Sequence, residues 1–347
     1  MTFASAVISY DELFDGLGTG RKHILLGNGF SIACDSIFKY ERLYDSAVGA
    51  GLSKRAQKVF DRLGTSNFEG AMRLLDDAHW VATTYKLIKD GRSDLLDDVE
   101  IIKTTLVKAV ANSHLTHTGE VEELRKQIAL EFLSPYHNIF TTNYDLLPYW
   151  VNMYTPREQR WGDGFRSDED EPDAPYVIFT ERLGGHKGLF YIHGALHLYV
   201  AHGELRKHCW GRTGTPLTQL IKEGLEQQNY PLFIAEGKSE GKLEQIQRNG
   251  YLWYCLDKLA RIEGALVVFG HALGDSDQHI IDVLTTNPKL KRVAIGLFGD
   301  PKSKANKSIY ASAKKMEATR AHLANTRKGV APLSIEFFDS KAAAPWG

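Results

Sequence analysis

Cysteine is scarce: Cys34, Cys209 and Cys255 are the only three in 347 residues. They are odd in number, far apart and without a CxxC pair, which argues against a disulfide framework and excludes a four-cysteine structural zinc module. Reduced thiols, at least two of them in the core, are expected. No apolar run approaches the roughly 18 residues needed to cross a bilayer. The stretch MTFASAVISYDELFDGLG lacks a basic start followed by an apolar segment, so a cytoplasmic protein with no membrane partner is expected. An excess of either charge is also missing. Lysine plus arginine number 42 against 43 aspartates and glutamates, which leaves no global basic field to draw nucleic acid. Internal repeats and low-complexity segments are absent as well.

What remains is ordinary for a folded protein, with 43% hydrophobic and 24% charged residues, and it is long enough for one large domain or two modest ones. Apolar runs at His23–Leu26, Asn138–Thr141, Leu189–His193, Ala265–Gly270 and Arg292–Phe298 are continuous rather than alternating. That pattern suits strands covered on both faces, as in a parallel sheet of an α/β fold. Between the first two strands, Phe68–Lys89 and Leu95–Ala111 carry apolar stripes at helical spacing and predict an inserted helical layer. Gly162–Pro175, GDGFRSDEDEPDAP, reads as a solvated acidic loop, and Ala201–Tyr254 as a variable module. A lysine-rich linker, a helix and a last strand-like run, Pro332–Phe338, fill the tail.

The ends of these strands hold the residues with chemistry. Gly27-Asn28-Gly29-Phe30-Ser31 would turn sharply and let backbone approach a phosphate, although the GxGxxG fingerprint is incomplete, with Ala33 or Cys34 in its third glycine position. Thr142-Asn143-Tyr144-Asp145 places an amide and a carboxylate at the next strand end, able to orient a ligand and stabilise positive charge, or to form an Asx turn. His193-Gly194 offers a base near neutral pH. In Gly270-His271-Ala272-Leu273-Gly274-Asp275-Ser276-Asp277, Asp275 or Asp277 could accept ribose hydroxyls or cap the helix that starts near Gln278. His193, His197, His202, His208 and Cys209, like His114 with His117, follow no recognised zinc spacing, so no metal is expected.

Taken in order, Gly-Asn-Gly-Phe-Ser, Thr-Asn-Tyr-Asp, His-Gly and Phe-Gly-His-Ala-Leu-Gly-Asp resemble the sirtuin fold, most closely the zinc-free, sirtuin-like NAD hydrolases of bacterial antiviral defence. The resemblance covers about half the chain. It implies a Rossmann-like core over residues 1–50 and 131–347, and leaves the helical insertion at 51–130 and the small module at 201–254 unexplained. It implies that Gly27, Gly29 and Ser31 cradle the NAD pyrophosphate, with Asn28 and Thr142 also among the binding residues. Asn143 would hold ribose or water, Asp145 would sit near the nicotinamide, and His193 would be the base. Gly270 and His271 would contact the adenosine side, with Asp275 beside them. Asn28 stands where the family usually has alanine, and Ala272 where serine is common.

The implied activity is NAD hydrolysis to nicotinamide and ADP-ribose, with NAD as substrate. The missing cysteine quartet turns the reading away from protein deacylation. A non-catalytic NAD or ADP-ribose sensor, and a deacylase or ADP-ribosyl transferase, are the rival readings. The resemblance further implies homo-oligomers and, as partners, an ATPase or a nucleic-acid-guided defence protein. The 51–130 insertion is the candidate assembly surface.

Overall fold

A computed structural model describes residues 7–64, 68–88, 94–183, 186–227, 229–234 and 238–347. Its centre is a seven-stranded sheet in which every pairing is parallel. In chain order the strands among the described residues are β1 (Val7–Ile8), β2 (Lys22–Leu26), β3 (Asn138–Thr141), β4 (Phe165–Arg166), β5 (Tyr176–Phe179), β6 (Gly188–Tyr191), β7 (Gly194–Ala201), β8 (Glu204–His208), β9 (Pro231–Phe233), β10 (Gly264–Phe269), β11 (Leu290–Leu297) and β12 (Ser334–Asp339). The parallel sheet runs β1-β12-β11-β10-β2-β3-β6, and a second, antiparallel sheet runs β4-β5-β8-β7-β9. The α/β class expected from continuous apolar runs is therefore correct. Ile24, Leu25, Phe140, Phe190, Leu266, Val267 and Ile295 are all fully buried, because helices cover both faces of the sheet.

Strand order locates the ligand crevice. From β2 the chain moves outward through β3 to β6; it then returns to β10 on the other side of β2 and moves outward again through β11 to β12. The two directions part between β2 and β10, a topological switch point, where open α/β sheets leave room beyond the carboxyl ends of the strands.

The insertion between β2 and β3 is helical, built from Tyr40–Gly49, Lys54–Leu63, Phe68–Thr84 and Asp94–Ser113, followed by Glu123–Leu133 against the sheet. The helix expected over Phe68–Lys89 stops at Thr84, and residue 89 lies outside the described residues. The acidic stretch is only partly a solvated loop. Asp163 and Phe165 are buried, Phe165 opens β4, and Lys207 from β8 pairs with Asp163. The antiparallel sheet thus begins well before residue 201, the boundary expected for the variable module.

The far end of the chain folds back on the crevice. Trp346 is fully buried, its ring lies 5.0 Å from that of Phe30, and its indole N–H donates to the Phe30 carbonyl at 2.9 Å. On the opposite flank, buried Arg320 donates to the carbonyls of Thr285, Leu290 and Ala331 at 2.7, 2.9 and 2.8 Å, tying its own helix, Lys304–Thr326, to the end of another helix, the start of β11 and a loop.

Candidate functional site

A cleft of about 840 Å³ opens at the switch point, within the size range of small-molecule sites. Asn28 and Gly29 from the end of β2, and Thr142, Asn143 and Asp145 from the end of β3, line it. So do His193 beyond β6, and Gly270 and His271 beyond β10. Gly27 and Ser31 lie behind this wall, and Asp275 is exposed and not part of it.

The glycines expected to cradle a phosphate pack backbone against backbone. The Gly27 N–H donates to the Phe269 carbonyl at 2.9 Å, and the Gly29 N–H to the Gly270 carbonyl at 3.0 Å. A Cβ on Gly29 would come within 2.5 Å of the Gly270 Cα, and Gly270 itself has φ +67°. What glycine supplies here is backbone-to-backbone contact that locks the ends of β2 and β10 together. Asn28, a departure from the resembled pattern, acts locally. Its amide donates to the Phe38 carbonyl at 3.1 Å and ties the following helix to the next turn.

Ser31 is likewise turned inward. Its hydroxyl donates to Asp145 Oδ2 at 2.6 Å and accepts from the Asn143 amide at 2.8 Å, while that amide also donates to the Gly27 carbonyl at 3.1 Å. Asp145 Oδ1 accepts the Leu147 N–H at 2.9 Å, so the Asx turn weighed in the sequence is present. Burial pushes the Asp145 carboxyl up, with the nearby His114 working the other way. His114 accepts the Leu146 N–H at 2.9 Å, and burial lowers its pKa. Ser31 therefore ties Asn143 to Asp145.

The other side of the cleft holds a denser group. His193 Nε2 lies 3.0 Å from His279 Nε2, and His279 Nδ1 lies 2.9 Å from the Ser239 hydroxyl. Asp277 is central to this group: Oδ1 sits 3.9 Å from His193 Nε2 and accepts from Lys242 Nζ at 2.9 Å. Its Oδ2 is 3.4 Å from His271 Nε2. Because His271 Nδ1 accepts the Leu273 N–H at 3.0 Å, its ring hydrogen is on Nε2, facing the carboxylate. Asp277 makes no capping bond to the helix that follows it.

Burial sets the charges. His193 and His271 are held below the ordinary histidine range by desolvation, and His279 is brought down to about 4. Burial acts to raise the Asp277 pKa, but His271, His193 and Lys242 outweigh it and hold the carboxyl well below the usual range. Neutral imidazoles thus surround an ionised carboxylate.

His193, Asp277 and His279 offer ligand atoms within 4.8 Å of one another, as a metal site would. Lys242, fully buried and bound to the same carboxylate, already supplies a cation there. A dication about 4 Å from that ammonium would meet roughly 8 kcal/mol of repulsion at an effective dielectric of 20, set against its attraction to the Asp277 carboxylate.

Sequence reasoning weighed Asp277 but settled on Asp275, and it missed His279, Ser239 and Lys242. The Asp-x-His spacing at a helix start was a local signal. Ser239 and Lys242, on the helix Ser239–Arg248, gave none.

A family model described as a domain of unknown function, DUF4917, matches residues 24–346. The match takes in both walls of the cleft, and the chain belongs to that family. No curated protein matches it significantly.

Proposed function

We propose that this DUF4917 family member hydrolyses the bond between nicotinamide and ribose in NAD, releasing nicotinamide and ADP-ribose. One observation carries the reading: Asn143, His193 and Asp277, from three different strand ends, converge on a cleft at the switch point of a parallel sheet. The resemblance of the strand-end motifs to sirtuin-like NAD hydrolases supplies the substrate.

The leaving group is already a cationic pyridinium, so departure as neutral nicotinamide needs no general acid. Positive charge grows on the ribose, and the site must orient the sugar and place a water. Asn143, held rigid by Gly27 and Ser31, presents a fixed amide for that purpose. His193, neutral at pH 7 because it is buried, takes one proton from the water as its oxygen bonds to C1′. Asp277 stabilises the imidazolium that forms. Asp145, hydrogen-bonded and with its carboxyl pushed up, is a support for Asn143 in this scheme. Depletion of NAD in cytoplasmic antiphage defence is the setting that goes with the reading.

The test is nicotinamide release by the purified protein, with His193→Gln and Asn143→Ala alongside and thermal melting to check that both fold. Loss of the base should lower turnover by roughly 10²- to 10⁴-fold. Near-normal turnover by folded His193→Gln would refute its role as base. A wild-type protein that binds NAD and releases nothing would identify a sensor.

A further inference from the structure

We propose that His279 and Ser239 are positioning residues for His193, fixing its ring so that Nδ1, not Nε2, is the atom that takes the proton. The proposal rests on the NAD reading for its reaction, while its argument rests on three contacts which that reading does not use. His279 stands in the first turn of the helix Gln278–Thr286, and Ser239 opens the helix Ser239–Arg248. His193 Nε2 and His279 Nε2 are 3.0 Å apart, the Ser239 hydroxyl is 2.9 Å from His279 Nδ1, and the same hydroxyl oxygen accepts the His279 backbone N–H at 2.8 Å. That last bond satisfies a donor that a helix start leaves free, so His279 is held by its backbone as well as by its ring. All three residues are buried.

Two ring nitrogens so close need one hydrogen between them, because two lone pairs, or two N–H groups, would repel. Both imidazoles are neutral, so each has one ring hydrogen and the chain can run in either of two directions. In one, Ser239 donates to His279 Nδ1, His279 donates to His193 Nε2, and the His193 hydrogen is on Nδ1, which leaves that ring no lone pair for a water. In the other, His193 Nε2–H donates to His279, and His279 Nδ1–H donates to the Ser239 oxygen, whose two lone pairs accept both it and the backbone N–H. Asp277 selects the second. Its ionised Oδ1 lies 3.9 Å from His193 Nε2, where it attracts a hydrogen and repels a lone pair. His193 lines the cleft, and Nδ1 is the ring nitrogen that neither His279 nor Asp277 engages. The neutral His279 thus takes the part that an orienting carboxylate plays behind a catalytic histidine, with the charge supplied from the side by Asp277. As Nδ1 takes its proton, the water O–H bond breaks, the oxygen bonds to C1′, and the electrons of the C1′–N bond leave with nicotinamide. The hydrogen on Nε2 stays in place throughout.

Nitrogen NMR of the histidine side chains in the wild-type protein near neutral pH reads the tautomer without any substrate. A hydrogen on His193 Nε2 and a bare Nδ1 are expected, whereas a hydrogen on Nδ1 overturns the assignment. His279→Leu removes the acceptor, His279→Gln keeps one near the tip of the ring, and thermal melting shows that each folds. With NAD, kcat should fall by roughly ten- to a hundredfold in His279→Leu, with KM little changed, and most of it should return in His279→Gln. Wild-type kcat in folded His279→Leu overturns the role, and so does an equal loss in both variants, which would mark His279 as structural only. Elemental analysis supplies a further arm. A transition metal held stoichiometrically by the wild type and absent from His279→Leu would mean that the two Nε2 atoms share an ion and not a hydrogen, which overturns the proposal. If the wild-type protein releases no nicotinamide, the NAD reading fails, and the spectra alone still decide which nitrogen of His193 is the base.

Discussion

Alanine substitutions at four glycines separate the two reasons for which a fold requires glycine. Gly29 is helical with ordinary φ but has the Gly270 Cα 2.5 Å from its would-be Cβ; Gly18 has φ +65° and nothing within 4 Å. Gly270 combines both constraints, and Gly49, at the end of a helix, has neither. Gly49→Ala should stabilise by about 0.5–1 kcal/mol, the usual gain over glycine in a helix. Gly18→Ala should destabilise by about 1 kcal/mol, the left-handed penalty less the entropy removed from the unfolded chain. For Gly29→Ala the clash is between backbones, with no flexible side chain to swing away, so a loss of roughly 1–3 kcal/mol is expected. Gly270→Ala should lose roughly 2–5 kcal/mol, the sum of the two effects. Urea unfolding of the four purified variants, monitored by tryptophan fluorescence, reads these differences as shifts in midpoint. If Gly29→Ala behaves like Gly49→Ala, the ends of β2 and β10 separate freely and the cleft floor is not locked.

Other consequences are equally direct. Arg320→Met strips three buried carbonyls of their donor and should destabilise by about 3–5 kcal/mol, read as a lower urea midpoint. His197 is fully buried between the rings of Tyr149 and Tyr191, and neither ring nitrogen has a hydrogen-bond partner among the described residues; His197→Leu should then raise the melting temperature, whereas a fall would show that the imidazole is satisfied in solution. Burial brings His23, His208 and His279 each down to about 4, so below about pH 6.5 the unfolded chain takes up protons that the native state refuses. Stability should be full above pH 6.5 and fall by at most about 3 kcal/mol per histidine on approaching pH 4; equal urea midpoints at pH 7.5 and pH 5 would contradict this. Asp277→Asn removes the charge that faces Lys242, His193 and His271 and should lower both the urea midpoint and nicotinamide release, while unchanged values would show that Asp277 neither holds Lys242 nor assists His193.

The parallel sheet was legible because its strands are buried on both faces and so appear as unbroken apolar runs; the expected limits of β3, Asn138–Thr141, match the structure residue for residue. The antiparallel sheet was not. β4 and β9 are two and three residues long, and β8, ELRKH, is half-buried with charged edges. β4 is further hidden by the acidic run that follows it. At the site, glycine-ended strands pointed to the cleft at the switch point but did not announce the packing of the β2 end on the β10 end, since close backbone packing and phosphate approach ask for the same residue. Asp275 and Asp277 were inseparable by type; only the turn Asp275–Asp277 sends one outward and the other toward three histidines. Ser239 and Lys242 come from a helix whose approach to that turn no local pattern announces.

The pairing of β2 with β10 also governs how the protein is made. His23 lies beside Leu266, so the central seam of the sheet joins segments some 240 residues apart. At translation rates of roughly 5–20 residues per second, β2 waits about 12–50 seconds for its neighbour to emerge. During that interval Ile24, Leu25 and Leu26 present an unpaired apolar edge, the condition that favours chaperone capture or aggregation. Loop-closure entropy and high contact order make this seam a late step in folding. The floor of the cleft is that same seam, so a partially synthesised or trapped chain has its outer helices before it has a site.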